Sequence, residues 1–302
     1  MSQFHTHSQR RRIIAILQAI LVTFLWSTSW VLIKIGLQAQ LPALTFAGLR
    51  YTLAFLILAP LVLFNPQYRP QLRAIPWLTW KQLAWLGLVL YVLTQGAQFI
   101  SLSLLPAATV TLMLNLTGIV VGGINIAKGV EKPTRRQWLA MLLSGIGVGV
   151  YFLPLDLPPG AWLGLAVAGG GVLANAAGAV LGRQVNQQAT LPPLLVTFVS
   201  MGIGSALLLG LGGVIQGFGL LQGSQWVIIG WLALVNTAFA FTLWNRTLQT
   251  LTAVESSVLN SLMLPQIALL AWLFLGEGLS GRQIVGLVLV GMGVLLVQVW
   301  RR

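Results

Sequence analysis

Long apolar segments, separated by short polar connections, occupy most of this sequence of 302 residues. The hydrocarbon core of a bilayer is about 30 Å thick, and a helix that rises about 1.5 Å per residue needs roughly 20 apolar residues to cross it. Because 57% of the residues are hydrophobic and 7% are charged, no room is left for a soluble catalytic domain. The pattern predicts an all-α membrane protein with ten transmembrane helices. These helices are predicted over residues 13–36, 43–64, 82–104, 107–127, 137–153, 161–182, 193–215, 226–246, 253–275 and 281–300.

The basic residues indicate how these helices are oriented. Cytoplasmic loops are enriched in Lys and Arg, and Arg10, Arg11 and Arg12 precede the first apolar segment. Further bases lie in alternate loops, whereas the loops at 153–160 and 216–225 contain none. We therefore expect a multi-pass protein of the cell (inner or plasma) membrane with both termini in the cytoplasm and a retained first helix. The net charge of +13 reflects this orientation, and no nucleic-acid partner is expected, because no soluble domain offers a basic face.

An internal repeat relates the two halves of the chain. The segment "VEKPTRRQWLAMLLSGIGV" at 130–148 aligns with "GEGLSGRQIVGLVLVGMGV" at 276–294, so that Glu131 matches Glu277 at an offset of 146 residues. Each half holds five predicted helices, and this odd number makes the second half enter the membrane from the opposite face. The predicted divisions are a cytoplasmic tail over residues 1–12 and two inverted five-helix repeats over residues 13–153 and 160–300.

Three sets of residues carry a resemblance to a known family. They are "FLWSTSWVLIKIGL" at 24–37, "LPALTFAGLRYTLAFLIL" at 41–58, and both copies of a Glu-x5-Gln-x7-Gly-x-Gly ending. Over essentially the whole chain, the sequence resembles the EamA-type family of the drug/metabolite transporter superfamily. This resemblance implies two inverted repeats around a central cavity that moves amino acids or other metabolites by alternating access, often outward. The first copy reads "KGVE" at 128–131 where the family usually has Gly-Glu, which indicates that the two halves contribute unequally to a site.

Polar residues at helical spacing follow one face of the third and fourth predicted helices, near the expected midplane of the membrane. The offset of 146 residues places polar or aromatic residues at matching positions of the eighth and ninth helices. Polar groups at this depth often mark a substrate pathway, but they also join helices through hydrogen bonds, and the sequence leaves both roles open. The candidate substrate-binding residues of this group are Tyr91, Gln95, Gln98, Asn115, Trp244, Asn260 and Ser261.

Four residues of the first two helices are further candidates. Lys34 lies near the outer end of the first helix, where its side chain can extend to the membrane surface. Trp26 and Trp30 are one turn apart and either stack on a substrate or face lipid. Arg50 lies roughly 10 Å inside the second helix without an obvious acidic partner, so it either binds backbone carbonyls or receives a carboxylate group. In the ninth helix, Pro265 lacks the N–H that a helix interior requires, which predicts a kink.

Several absent groups narrow the function classes. The chain has no cysteine, and its four carboxylates are expected at helix ends or in loops, which argues against a relay of protons between carboxylates. No phosphate-binding GxxxxGK[ST] motif occurs, and no cofactor or catalytic residue is expected. The favoured function is a secondary transporter, an exporter or a facilitator, whose partners are a small metabolite and the lipid bilayer. A membrane-embedded enzyme and a structural subunit are the alternatives, and a homodimer is left open.

Overall fold

The computed structural model describes residues 2–127, 135–153, 160–187, 191–219, 221–247, 250–251, 259–260 and 262–299. Every regular element within these ranges is a helix, and no strand occurs among them. The prediction of an all-α fold is confirmed for this part of the chain.

In the first half, two of the predicted membrane helices are interrupted. The third contains a π-helix between two α-helical parts, and the fourth is broken at Leu116. The elements are α1 (Ser2–Gln38), α2 (Ala43–Leu63), α3 (Tyr68–Arg73), α4 (Trp77–Gly87), π1 (Leu88–Gln95), α5 (Gly96–Leu104), α6 (Ala107–Asn115), α7 (Thr117–Ala127) and α8 (Arg135–Phe152).

The second half repeats this order of elements. Its described elements are α9 (Ala161–Gln187), α10 (Pro193–Gln216), α11 (Gly223–Ala233), π2 (Leu234–Phe239), α12 (Ala240–Thr247), α13 (Met263–Leu275) and α14 (Gly281–Val299). Four elements of the first half begin 146 residues before a counterpart in the second. These pairs of starting positions are 77 and 223, 88 and 234, 117 and 263, and 135 and 281. The offset found in the sequence therefore recurs in where the helices begin.

Proline and glycine define several helix ends. Pro42, Pro76, Pro106 and Pro192 immediately precede α2, α4, α6 and α10, with φ between −59° and −64°. Proline suits this position because its fixed φ is already compatible with a helix start and its missing N–H would have no helical partner there. Gly276 ends α13 with φ at 65°, a left-handed conformation that glycine adopts without steric cost.

By length and composition, seven helical stretches of the described residues can cross a bilayer. They are Arg12–Gln38, Ala43–Leu63, Trp77–Leu104, Ala107–Ile124, Ala161–Gly182, Pro193–Gln216 and Gly223–Trp244. Three shorter apolar helices, Leu142–Phe152, Met263–Leu275 and Gly281–Gly293, lie in the predicted fifth, ninth and tenth helices. Many large apolar side chains on these helices are exposed, as expected where the surrounding solvent is lipid. The chain is a multi-pass helical membrane protein.

The two most extensive helix contacts join the halves of the chain. One pairs α2 with α10, and the other pairs α8 with α14. In the first pair, a Cβ placed on Gly48 would lie 2.5 Å from the Cα atom of Leu209, and one placed on Gly212 would lie 2.5 Å from the backbone nitrogen of Thr45. Glycine thus lets the two backbones approach each other, which is typical of helix packing in membranes.

Candidate functional site

A cavity of about 340 Å³ lies between helices of both halves. Small-molecule sites usually enclose about 300 to 1,000 Å³, so this cavity has the size for a small metabolite. Most of its lining comes from α1, α2, π1, α5 and α6, and the rest comes from the second half. The lining residues are Trp26, Ser29, Trp30, Arg50, Tyr51, Gln95, Gln98, Thr111, Leu114, Asn115, Asn175, Phe241, Asn260, Met263 and Ile267.

Most of the candidate binding residues meet in this cavity. The sequence distributes them over five helices, and the fold brings seven of them to one lining: Trp26, Trp30, Arg50, Gln95, Gln98, Asn115 and Asn260. Their role in binding a substrate stays a prediction. Lys34, Tyr91 and Trp244 do not line the cavity, and Ser261 lies outside the described residues.

Arg50 is the only charged residue in the described lining. Its side chain is 4% exposed, and its Nε donates a hydrogen bond to the Thr237 hydroxyl at 3.0 Å. The guanidinium carbon lies 5.1 Å from the centre of the Tyr51 ring, in the range of a cation–π contact. A guanidinium has five N–H donors, and the described residues accept from one of them. Arg50 therefore brings a positive charge and four unused donors to the cavity.

A second polar group of the cavity lies on π1, next to Arg50. The Tyr51 hydroxyl donates a hydrogen bond to Oε1 of Gln95 at 2.7 Å. This contact orients the Gln95 amide and satisfies the phenol that packs against Arg50. Behind it, the Tyr91 ring meets the Tyr51 ring edge to face, with 5.3 Å between centroids. Tyr91 is buried there, so the prediction that it binds substrate is corrected: it supports Tyr51.

The amide groups of α5 and α6 leave hydrogen-bonding capacity for a ligand. Asn115 donates from Nδ2 to the Thr111 carbonyl at 2.9 Å, and no described group donates to its Oδ1. Gln98 makes no hydrogen bond with any described residue. From the second half, Asn175 donates to the Thr117 hydroxyl at 3.2 Å, which keeps its amide at the cavity wall. A polar substrate would thus meet amide donors and acceptors from both halves.

Aromatic rings form an apolar wall of the cavity. Trp26 packs against Phe241 and against Trp244, with ring centroids 5.2 Å apart in each case. Trp30 is buried beside them in α1, and the indole N–H of Trp26 has no hydrogen-bond partner among the described residues. Trp244 lies behind Trp26 and not at the cavity surface, so its predicted contact with substrate is corrected to a supporting contact.

Lys34 and Glu277 bind the joint between α5 and α6. The Lys34 ammonium donates to the Leu102 and Leu105 carbonyls at 2.7 and 2.6 Å, where α5 ends. Both carboxylate oxygens of Glu277 accept from the Ala107 N–H at 3.0 and 2.8 Å, where α6 begins. The predictions that Lys34 reaches the membrane surface or binds substrate are therefore corrected, because its donors are committed to the ends of a neighbouring helix.

The π-helices supply contacts that the sequence did not reveal. In π1 the Thr94 hydroxyl donates to the Val89 carbonyl at 2.9 Å, and in π2 the Thr237 hydroxyl donates to the Leu232 carbonyl at 2.8 Å, each five residues back. Asn236, fully buried in π2, donates to the Leu25 carbonyl of α1. π-Helical turns frequently occur at functional sites. Here π2 holds Arg50 and α1 at the cavity.

Other lining residues also escaped the sequence analysis. Tyr51, Phe241, Met263 and Ile267 belong to long apolar runs and carry no pattern that separates them from lipid-facing residues. Asn175 did carry a signal, because it is an isolated amide within the apolar run 161–182. No group of three or more His, Cys, Asp or Glu side chains that could hold a metal ion occurs in the described part of the chain.

Comparisons with known proteins agree in kind. A family model described as the EamA-like transporter family matches residues 13–153 and 162–299. "Protein PecM" of Dickeya dadantii is 26% identical over 71% of this chain and 73% of its own length. A protein of Salmonella typhimurium named "Probable amino-acid metabolite efflux pump" is 25% identical over 91% of this chain and 92% of its own length. A solved crystal structure, 20% identical, superposes with a TM-score of 0.67 and covers 95% of this chain and 99% of that one, which shows the same fold.

Proposed function

The chain belongs to the EamA-like transporter family, and on that premise we propose that it is a secondary transporter that moves small metabolites across the cytoplasmic membrane by alternating access. The observation that carries this proposal is the cavity between the halves, with one cation, several amides and an aromatic wall. Polar groups at the middle of membrane helices are costly unless they serve a pathway or join helices. Several of these groups have no protein partner, which supports a role toward a ligand.

The proposed architecture has ten membrane helices in two inverted repeats over 13–153 and 160–300. It is supported by the recurrence of helix starts after 146 residues and by the contacts of α2 with α10 and of α8 with α14, which join elements of equal position in each half. Interrupted helices beside a midplane site are a recurrent feature of such transporters. The breaks before Thr117 and before Met263 both lie at the cavity and support this arrangement.

The direction and cargo follow from a relative and from the cavity. The Salmonella relative is named as an efflux pump for amino-acid metabolites, which favours export or facilitation of amino acids and similar compounds. An amphipathic metabolite matches a cavity that combines amide groups with aromatic rings better than a bare ion does. A membrane-embedded enzyme is disfavoured, because such a site needs clustered acids, bases or metal ligands near one interface.

Single cysteines in this naturally cysteine-free chain test the site. We expect Gln98→Cys and Asn115→Cys to react with a water-soluble thiol reagent in at least one transport state, and a metabolite that is carried to slow the reaction. Leu173→Cys, on an exposed apolar face of α9, is the matched control and should stay unreactive in the bilayer. If neither cavity position reacts and no metabolite protects either, the polar residues only join helices and the proposal is wrong.

The same method tests the orientation, in which both termini are cytoplasmic. The basic loop after α2 is then cytoplasmic, and the loop after α10, which lacks Lys and Arg, is external. In intact cells we expect Phe218→Cys to react and Gln67→Cys to react only after lysis. The reverse pattern would contradict the orientation.

A further inference from the structure

We propose that the preferred cargo of the cavity is an organic monoanion: a carboxylate attached to an apolar or aromatic body and carrying no ammonium group. This inference rests on the proposed function, since it assumes that the cavity binds the cargo. It adds the charge class, which neither the family nor the relatives' names specify. Three observations carry it: the free donors of Arg50, the absence of a described counter-charge, and the aromatic wall.

Arg50 presents a built site for a carboxylate. The side chain is 4% exposed, and the bond to Thr237 together with the contact to the Tyr51 ring fixes the guanidinium plane. No described residue accepts from its two terminal nitrogens. A planar guanidinium with free terminal N–H groups matches the two oxygens of a carboxylate in a bidentate pair. A bound carboxylate would thus satisfy donors that the protein leaves open.

No described acidic group balances this charge. Of the chain's carboxylates, Glu277 is in the described residues, and its oxygens accept from Ala107 at the α5–α6 joint. The second membrane cation, Lys34, is bound to backbone carbonyls at the same joint and does not line the cavity. The cavity therefore carries a net positive charge from Arg50. An isolated buried charge is unfavourable, and an anion from outside the protein relieves it.

This charge discriminates between three kinds of cargo. An anion pairs with Arg50, whereas a cation enters a region of like charge at low dielectric. A zwitterionic amino acid also pairs through its carboxylate, but its ammonium group finds only neutral amide and hydroxyl acceptors, such as Asn115 and Gln95. An ammonium that is not paired with a carboxylate loses much of its hydration for little return. Anions should thus bind most tightly and cations least.

The aromatic wall defines the rest of the cargo. The rings of Trp26, Trp30, Tyr51 and Phe241 face a volume of about 340 Å³. Rings of this kind pack well against a flat apolar group, and the limited volume favours a molecule with one ring. The arrangement therefore suits a short carboxylic acid that ends in a ring or a branched apolar group.

A matched series of ligands tests the charge class on the full chain in lipid nanodiscs. Phenylalanine, 3-phenylpropionate, which lacks the ammonium group, and phenethylamine, which lacks the carboxylate, share one ring and one chain length. By calorimetry we expect 3-phenylpropionate to bind at least tenfold more tightly than phenylalanine, and phenethylamine to bind weakest. In Arg50→Gln this order should collapse, while Arg50→Lys should keep it with weaker binding of the anion.

The wild-type order alone decides the matter if the variants fail to fold. Tighter or equal binding of phenylalanine or phenethylamine overturns the proposal, and so does the absence of any measurable binding of 3-phenylpropionate. These results leave the proposed function standing as long as another metabolite protects the cavity cysteines from alkylation. If no metabolite protects them, the proposed function fails as well, so the two failures are distinguishable.

Discussion

Glu277 and Lys34 illustrate how single charges are used within the membrane. They lie in different halves of the chain and bind the two sides of one joint, the end of α5 and the start of α6. Backbone groups at helix ends have no helical partner, and in a bilayer no water replaces it. Each charge satisfies such groups, and its favourable sign also matches the dipole of the helix end that it contacts.

The Glu277 contact can be measured through stability. Glu277→Ala removes the acceptor of the Ala107 N–H and should destabilise the protein by about 1 to 3 kcal/mol. Glu277→Gln retains one acceptor oxygen and should destabilise it less. Thermal unfolding of the detergent-solubilised variants, followed by size-exclusion chromatography, gives the comparison. An alanine variant as stable as the wild type would contradict the role of Glu277 at this joint.

Helical spacing predicted much of the cavity lining, and the π-helices explain two of its failures. Gln95 and Gln98 lie at or after the end of π1 and face the cavity, whereas Tyr91 lies within π1. A π-turn holds more residues than an α-turn, so the stripe drawn through Tyr91 at a period of 3.6 is out of phase with the helix. Trp244 was chosen as the counterpart of Gln98, but π2 has six residues and π1 has eight, so the phase differs and Phe241 lines the cavity instead.

Among the elements, the interrupted helices were only half predicted. Pro265 drew attention to the ninth membrane helix, where a kink was expected. In the structure α13 begins at Met263, so Pro265 lies in its first turn, and its missing N–H has no helical partner to lose. The break in the fourth helix, at Leu116, has no proline or glycine to mark it, and the sequence therefore gave no sign of it.

The glycines of α8 differ in what they contact, which allows a matched comparison. A Cβ on Gly147 would lie 2.7 Å from the backbone nitrogen of Val290 in α14, whereas one on Gly145 would meet nothing within 4 Å. Gly147→Ala must push the two helices apart and should destabilise the protein by about 1 to 3 kcal/mol. Gly145→Ala should be neutral, or stabilising by up to about 1 kcal/mol because alanine favours helix.

The same thermal unfolding assay separates these two variants. A Gly147→Ala protein that unfolds at the temperature of Gly145→Ala would show that α8 and α14 do not pack as closely as described. The sequence alone could not choose between these glycines, because both lie in the same repeat motif and the choice depends on which face of α8 meets α14.

At the scale of the whole molecule, the two halves share a plan but contribute differently to the cavity. Ten of the described lining residues come from the first half and five from the second, and the one charge comes from the first. The resemblance of the motifs indicated such an inequality, because the repeated segments differ in their polar residues. How the halves meet depends on contacts between helices distant in sequence, such as α2 with α10, which local patterns do not encode.

Counterflow in proteoliposomes tests the central claim, that this chain transports a metabolite through the cavity between its halves. Vesicles containing the wild type, Asn115→Cys or Leu173→Cys are loaded with a metabolite mixture and supplied with labelled metabolites outside, before and after treatment with a water-soluble thiol reagent. The account predicts that at least one label accumulates in all three, and that the reagent abolishes accumulation only in Asn115→Cys, because the modified side chain fills the cavity. Accumulation of no label in the wild type, or full accumulation in modified Asn115→Cys, would contradict it.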